Sequence, residues 1–457
     1  MSATQSPMKD AFAARGLALR VLSGRRQGRA ALDRAEFRGA AGPTRAVLQE
    51  LVLGVRRHQF LLDAILARHV PDKLSSVEPH LREILRLGVH DLLFRERLPR
   101  PLVVDESVEL CGPQKRARGF INAVLRRIAD SLEPVELALH EIPLDRVTVE
   151  VSPRRALRLP EPFLPDFAVN PAQHLARRFT LTEWFCAELL RLLPLEAAAA
   201  ARACCERQPV ALRPVYGRCD VNSLMQRLQA DGCTGVRMMG PVVELAPQGP
   251  VEDIAAFQDG SCVVQDATAA EVAPLLAPQP GERVLDLCAA PGGKTIHMAE
   301  LMGGKGQIMA CHRAGPAAAM LLQNIKRGAW ECITPKDLGM NAARVPAGPY
   351  DAVLVDAPCS NSGVLAKRVE ARFRLEAVVV TRLAEMQLQL LRSVAALVRP
   401  GGRLVYSTCS ILPQENDAVV QAFLAAEAGF KLDAELLRYP QRTGRDGGYA
   451  ARLLKLV

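Results

Sequence analysis

From about residue 266 to the C-terminus one pattern recurs in the chain: a short apolar run, an abrupt stop at Gly, Pro or polar residues, and often a longer helical stretch before the next run. The runs are RVLDLCAAPGGKT from Arg283, QIMACHR from Gln307, CITPKD from Cys332, DAVLVDAPCS from Asp351 and GRLVYSTCS from Gly402. Strand, loop and helix in this rhythm predict a doubly wound α/β sheet with a mostly parallel core. Ligands of such sheets gather at the carboxyl ends of the strands, near the point where strand order reverses. The chemistry should therefore lie in the loops that end these runs.

The first loop reads Cys288-Ala289-Ala290-Pro291-Gly292-Gly293-Lys294-Thr295. Small residues and paired glycines let a backbone approach a ligand closely before a helix begins. It is not a phosphate loop, because Cys288 stands where the first glycine would be, and it is not G-x-G-x-x-G. A nucleoside with an uncharged tail suits it better.

The rest of the chain has a different character. Helical spacing of Val47, Leu51 and Val55, then of Leu62, Ile65 and Leu66, predicts an all-α region of five to seven helices over residues 1–130. That region holds 23 Lys and Arg against 14 Asp and Glu, which accounts for the whole net charge of +9 and points to a polyanion such as nucleic acid. Residues 131–160 read as an irregular Pro- and Arg-rich linker, and about 170–265 as a small α+β module. No apolar run approaches membrane-spanning length, and the N-terminus lacks a secretory signal, so a cytoplasmic protein with no membrane partner is expected. The 12 cysteines show no C-x-x-C pair and no metal-ligand spacing, so no metal is expected and most should be reduced, buried side chains. Cys359 and Cys409 stand apart, each just past the end of a predicted strand.

Two stretches carry a family resemblance. LRLGVHDLLFRERLPRPLVVDESVEL with RGFINAVLRRI resembles the NusB-type RNA-binding domain over most of residues 10–130, and DLCAAPGGKT resembles the S-adenosylmethionine loop of RNA cytosine-5 methyltransferases. With DAPCS, YSTCSILPQEN and DGGYAARLLKL the likeness covers nearly the whole chain and its domain order. The chain is similar to the Sun family of RNA 5-methylcytosine methyltransferases, in particular its bacterial 16S rRNA members. That implies a NusB-like helical domain over 1–135, a linker and small α+β RNA-binding module over 136–265, and a Rossmann-like methyltransferase domain over 266–457, working as a monomer on 16S rRNA with S-adenosylmethionine.

Carbon 5 of cytosine is a poor nucleophile, and covalent catalysis solves this: a thiolate adds to carbon 6 and makes carbon 5 enamine-like. The resemblance implies that Cys409, in T-C-S, attacks, that Cys359, in D-A-P-C, assists product release, and that Asp356 contacts the base and the methyl donor. It places residues 288–294 around the cofactor, His312 where a ribose-binding acid is usual, and Asp337 on the adenine side. Val369 stands for the usual Pro and Phe373 for the usual Trp, while Lys367, Arg368, Arg372 and Arg374 are candidate contacts to the RNA backbone. The rival expectations are the same chemistry on tRNA or another RNA position, and a non-enzymatic RNA-binding protein with a decayed methyltransferase fold.

Overall fold

The computed structural model describes residues 7–24, 42–139, 141–246, 249–339, 345–440 and 445–457. It divides into one unit of Met1–Cys205 with Arg368–Arg374, and another of Glu206–Lys367 with Leu375–Val457.

In the first unit, six α-helices among the described residues precede the first strand: α1 (Pro7–Leu22), α2 (Gly42–Arg57), α3 (Gln59–His69), α4 (Pro79–Phe94), α5 (Arg100–Glu109) and α6 (Lys115–Ser131). Leu51, Val55, Leu62, Ile65 and Leu66, the periodic positions of the sequence, are buried in one core with Ile84, Leu85, Leu125 and Ile128. Two helices cross closely at Gly88, where a Cβ would meet Leu125 at 2.6 Å. A fully buried Arg15 ties α1 to α4 and α5, donating to Asp91 Oδ2 at 2.6 Å and Ser107 Oγ at 2.9 Å. Breaking such a pair would strand a charge in the core.

The stretch expected to be an irregular linker instead carries a three-stranded sheet, β1 (Glu133–Glu136), β2 (Thr148–Ser152) and β3 (Arg155–Arg158), in the order β1-β3-β2. Its strand signal is short: Ala156 and Leu157 are buried between the exposed Arg155 and Arg158, and flanking prolines and arginines mask them. Helices α7 (Pro171–Phe179), α8 (Glu183–Leu192) and α9 (Ala197–Ala203) complete the unit. Residues 368–374 belong here through Arg372, which is fully buried and donates to the carbonyls of Arg57 and Cys204 at 2.8 Å each. Phe373 stacks edge-on against Phe60.

The second unit contains two sheets. A four-stranded sheet in the order β5-β6-β4-β7 is built from β4 (Val210–Pro214), β5 (Arg237–Met239), β6 (Val242–Leu245) and β7 (Cys262–Val264). The larger sheet has the order β10-β9-β8-β11-β12-β14-β13. Its strands β8 (Arg283–Asp286), β9 (Gln307–His312), β10 (Ile333–Asp337), β11 (Tyr350–Asp356) and β12 (Val398–Thr408) are parallel. The hairpin of β13 (Phe430–Arg438) and β14 (Gly448–Lys455) closes one edge antiparallel. Helices α10 (Gly293–Leu301), α11 (Pro316–Arg327) and α12 (Ala377–Ala395) lie between the strands in sequence. The doubly wound expectation holds, with each apolar run on a strand.

A buried ion pair joins the small sheet to α10. Arg213 of β4 grips Glu300 of α10 with both terminal nitrogens, at 2.5 and 2.7 Å, and its Nε donates to Gln265 at 2.5 Å. The Tyr216 backbone N–H donates to the same carboxylate at 3.0 Å. Removing one partner leaves the other charged and unpaired, so Glu300→Ala should lose about 3–5 kcal/mol. The check is the midpoint of denaturant unfolding, with Arg213→Ala expected to lose a similar amount and the double variant far less than the sum.

Candidate active site

The chain leaves β8 in both directions: β9 and β10 extend the sheet on one side, β11 and β12 on the other. The switch point is therefore between β8 and β11, where neighbouring loops part and a crevice forms. The loop after β8 and the end of β11 meet across it. Lys294 Nζ donates to Asp356 Oδ2 at 2.7 Å, and Ser407 Oγ of β12 donates to Asp356 Oδ1 at 2.7 Å. Burial pulls the Lys294 ammonium down, but the Asp356 carboxylate more than offsets it and leaves the group above its ordinary range.

Strand register brings the two cysteines together. Asp356 pairs with Ser407 across β11 and β12, so the residues three and two positions further on, Cys359 and Cys409, leave neighbouring parallel strands side by side. Their sulfurs are 3.1 Å apart. Asn361, in the left-handed region at φ +63°, orders this contact. Its Nδ2 donates to the Cys359 carbonyl at 3.0 Å, and its Oδ1 is 3.3 Å from Cys409 Sγ. A carbonyl only accepts, so the amide nitrogen must face Cys359 O and the amide oxygen must face Cys409. The Cys409 thiol therefore donates to Asn361, and the Cys359 thiol donates to Cys409. That hydrogen bond, with burial, pushes the Cys359 thiol well above its usual range.

The cofactor loop is braced from below. Thr295 Oγ1 donates to Asp286 Oδ2 at 2.7 Å, Ala289 N donates to Cys311 O at 2.9 Å, and Asn324 Nδ2 donates to Pro291 O at 3.1 Å. Gly292 sits at φ +105°, and a Cβ there would meet Leu321 at 2.8 Å, so only glycine fits both conformation and space. Ala290 and Gly293 are half-buried and Pro291 is exposed at the rim. Burial pushes the Cys288 thiol to about 12, so it stays neutral. Two buried polar atoms at this end of the sheet, Asp286 Oδ1 and His312 Nδ1, have no hydrogen-bond partner among the described residues. A ligand with hydroxyl and amine groups would satisfy them, and the donor set fits S-adenosylmethionine.

Not every expected contact converges here. His312 ends β9 and lies in register with Asp337 on β10, whose Oδ1 accepts from Gly339 N at 2.8 Å. Lys367 is spent inside the protein, donating to Asp266 Oδ2 at 2.9 Å and Asp446 Oδ2 at 2.8 Å. Arg372 is buried, which leaves Arg368 and Arg374 as the exposed cations of that run. Asp266, Lys294, Cys409 and Asp446 line one cavity of about 50 Å³. Asn361, Ser407 and Glu415 complete the surroundings of the thiols; in the sequence they are ordinary polar residues, and only the polar Glu-Asn pair closing YSTCSILPQEN offers a hint.

Comparison with known proteins places the chain in a family. Residues 273–454 match the family model for 16S rRNA methyltransferase RsmB/F, and residues 13–130 match that of the NusB family. A probable ribosomal RNA small subunit methyltransferase B of Synechocystis is 32% identical over 86% of this chain and 84% of its own. The chain belongs to that family. The Bacillus subtilis member, also named a probable ribosomal RNA small subunit methyltransferase B, is 30% identical over 88% of this chain and 86% of its own. The crystal structure of PH0851, at 24% identity, covers the whole of both chains with a TM-score of 0.75 and shares the fold.

Burial in the RsmB-type crevice has a measurable signature. It pushes Asp286 and Asp446 up to about 7, well above a free carboxyl at ~3.9. The folded state then holds protons that the unfolded chain releases, so the stability of the cofactor-free protein should fall as pH rises from about 4 to about 7 and level off above that. Asp286→Asn should flatten part of that slope, as thermal unfolding across this pH range will show.

Proposed function

We propose that this chain transfers a methyl group from S-adenosylmethionine to carbon 5 of a cytosine in 16S rRNA, through a covalent bond between Cys409 and the base. The observation that supports it best is the ordered pair of thiols 3.1 Å apart beside the Lys294–Asp356 ion pair. Methylation of an exocyclic amine would need neither sulfur.

Each group has a part set by its surroundings. Cys409 gives up its proton and its thiolate adds to carbon 6 of the flipped base. The Cys359 thiol already points its proton at the Cys409 sulfur, so it stabilises the thiolate. Asp356, held by Lys294 and Ser407, accepts from the amino group of cytosine and so positions the ring for addition. S-adenosylmethionine supplies the electrophilic methyl that the activated carbon 5 takes up. Solvent water then takes the carbon 5 proton, the electron pair left behind re-forms the double bond between carbons 5 and 6, the bond from carbon 6 to sulfur breaks, and Cys409 departs as a thiolate toward the Cys359 proton. Residues 288–294 cradle the cofactor, with His312 and Asp337 toward its nucleoside. Residues 1–135 and 136–265 hold rRNA for the 266–457 domain, and the enzyme works in the cytoplasm as a monomer.

Cys409→Ala should abolish both methyl transfer and any protein–RNA adduct. Cys359→Ala should let the adduct form and persist as a slow band on a denaturing gel. A persistent adduct in Cys409→Ala instead would reverse the roles, and bisulfite sequencing of 16S rRNA with and without the gene would locate the target.

A further inference from the structure

Beneath the two thiols lies a charged residue that none of the steps above uses. Glu415, three residues past Leu412, is fully buried. Its Oε1 accepts from Ser360 N at 2.8 Å and from Gln387 Nε2 at 3.0 Å. Its Oε2 accepts from Ser360 Oγ at 2.5 Å and from Ser410 Oγ at 2.6 Å. Donors fill the lone-pair sites of both oxygens, which is the bonding of a carboxylate rather than of a neutral acid.

The donors matter because of where they sit. Ser360 follows Cys359 and Ser410 follows Cys409, so one carboxylate grips the residue after each sulfur. Strand pairing ends before this point: β11 stops at Asp356 and β12 at Thr408. Beyond the sheet the two loops are joined by Gly363 N donating to Cys409 O at 2.9 Å, by the Ser362–Ser410 hydroxyl contact at 2.9 Å, and by Glu415. Glu415 is fastened in turn: Tyr406 OH donates to its carbonyl at 2.5 Å, and its neighbour Asn416 accepts from Thr408 Oγ1 at 2.7 Å and donates to Ser410 O at 3.0 Å.

We propose that Glu415 is a positioning residue that sets the separation and alignment of the Cys359 and Cys409 sulfurs by holding the serine after each. It touches no reacting atom. The inference rests on the proposed use of both cysteines, but its first test needs neither RNA nor cofactor. Diamide takes two electrons and two protons from a pair of thiols, which become a disulfide while diamide becomes the hydrazine. The rate of Cys359–Cys409 disulfide formation therefore reads how often the sulfurs meet.

In Glu415→Ala that rate, followed by peptide mass mapping, should fall by about 10-fold or more, as the effective concentration of one thiol at the other drops. Single-turnover methyl transfer should fall by roughly 100-fold, with RNA KM and cofactor affinity within about 2-fold of the wild type. Glu415→Gln keeps the shape and can still accept from Ser360 N, so it should recover at least ~10-fold of the lost rate. If Glu415→Ala does not fold, Glu415→Gln decides alone, with both rates expected to fall by about 3- to 10-fold. A variant that melts at lower temperature yet keeps both rates would make Glu415 a fold staple and overturn the proposal. Wild-type protein that forms the disulfide readily but methylates no RNA would count against the enzymatic reading and leave the positioning role standing.

Discussion

The centre depends on the register of two parallel strands. β11 and β12 pair so that Asp356 faces Ser407, and everything chemical follows from that alignment. Side chains alternate across a sheet, so a slip of one residue would point Asp356 away from both Lys294 and Ser407. The same slip would separate the loops that carry the sulfurs. Register here is held by a core on both faces, with Leu354, Val355, Leu404, Val405 and Tyr406 all fully buried. The stability of the sheet and the geometry of the site are thus one property.

Asp356 also shows how the crevice combines opposite demands. A lone buried carboxylate would be costly, and a lone buried ammonium equally so. Placing Lys294 at the start of α10 and Asp356 at the end of β11 lets each neutralise the other across the switch point, while Ser407 takes the second oxygen. The pair costs little to keep, yet remains partly exposed where a base could reach it. Asp286, one strand away and fully buried, is pushed up to about 7 by that burial, which the Thr295 hydroxyl and the Lys294 charge only partly offset.

Much of this was legible in the sequence, for definable reasons. The parallel sheet declared itself because each strand is a continuous apolar run ended by a breaker, and the loop 288–294 because only small residues fit a backbone that close to a ligand. The helices of residues 1–130 showed through their apolar spacing. What stayed hidden was pairing at a distance. The β2–β3 hairpin was obscured because two buried residues between arginines make too short a pattern to read. Lys367 looked like a surface cation because nothing local reveals that Asp266 and Asp446 meet it from about 80 to 100 residues away. Glu415 gave no signal of its pairing because its partners, Ser360, Gln387 and Ser410, come from three separate elements.

The same reasoning bears on why two cysteines of equal chemistry should take unequal roles. Neither pentapeptide contains the answer, since Asp-Ala-Pro-Cys-Ser and Ser-Thr-Cys-Ser could each present a nucleophile. The asymmetry comes from one amide. Asn361 cannot offer its nitrogen to Cys409, because that nitrogen is committed to the Cys359 carbonyl. Cys409 must then donate to the amide oxygen, and the only lone pairs left facing Cys359 are those on the Cys409 sulfur. Cys359 becomes the donor, and its thiol is held protonated by that bond and by burial. When Cys409 ionises, it does so opposite a proton already aimed at it, which is the arrangement that the proposed attack by Cys409 and release assisted by Cys359 require.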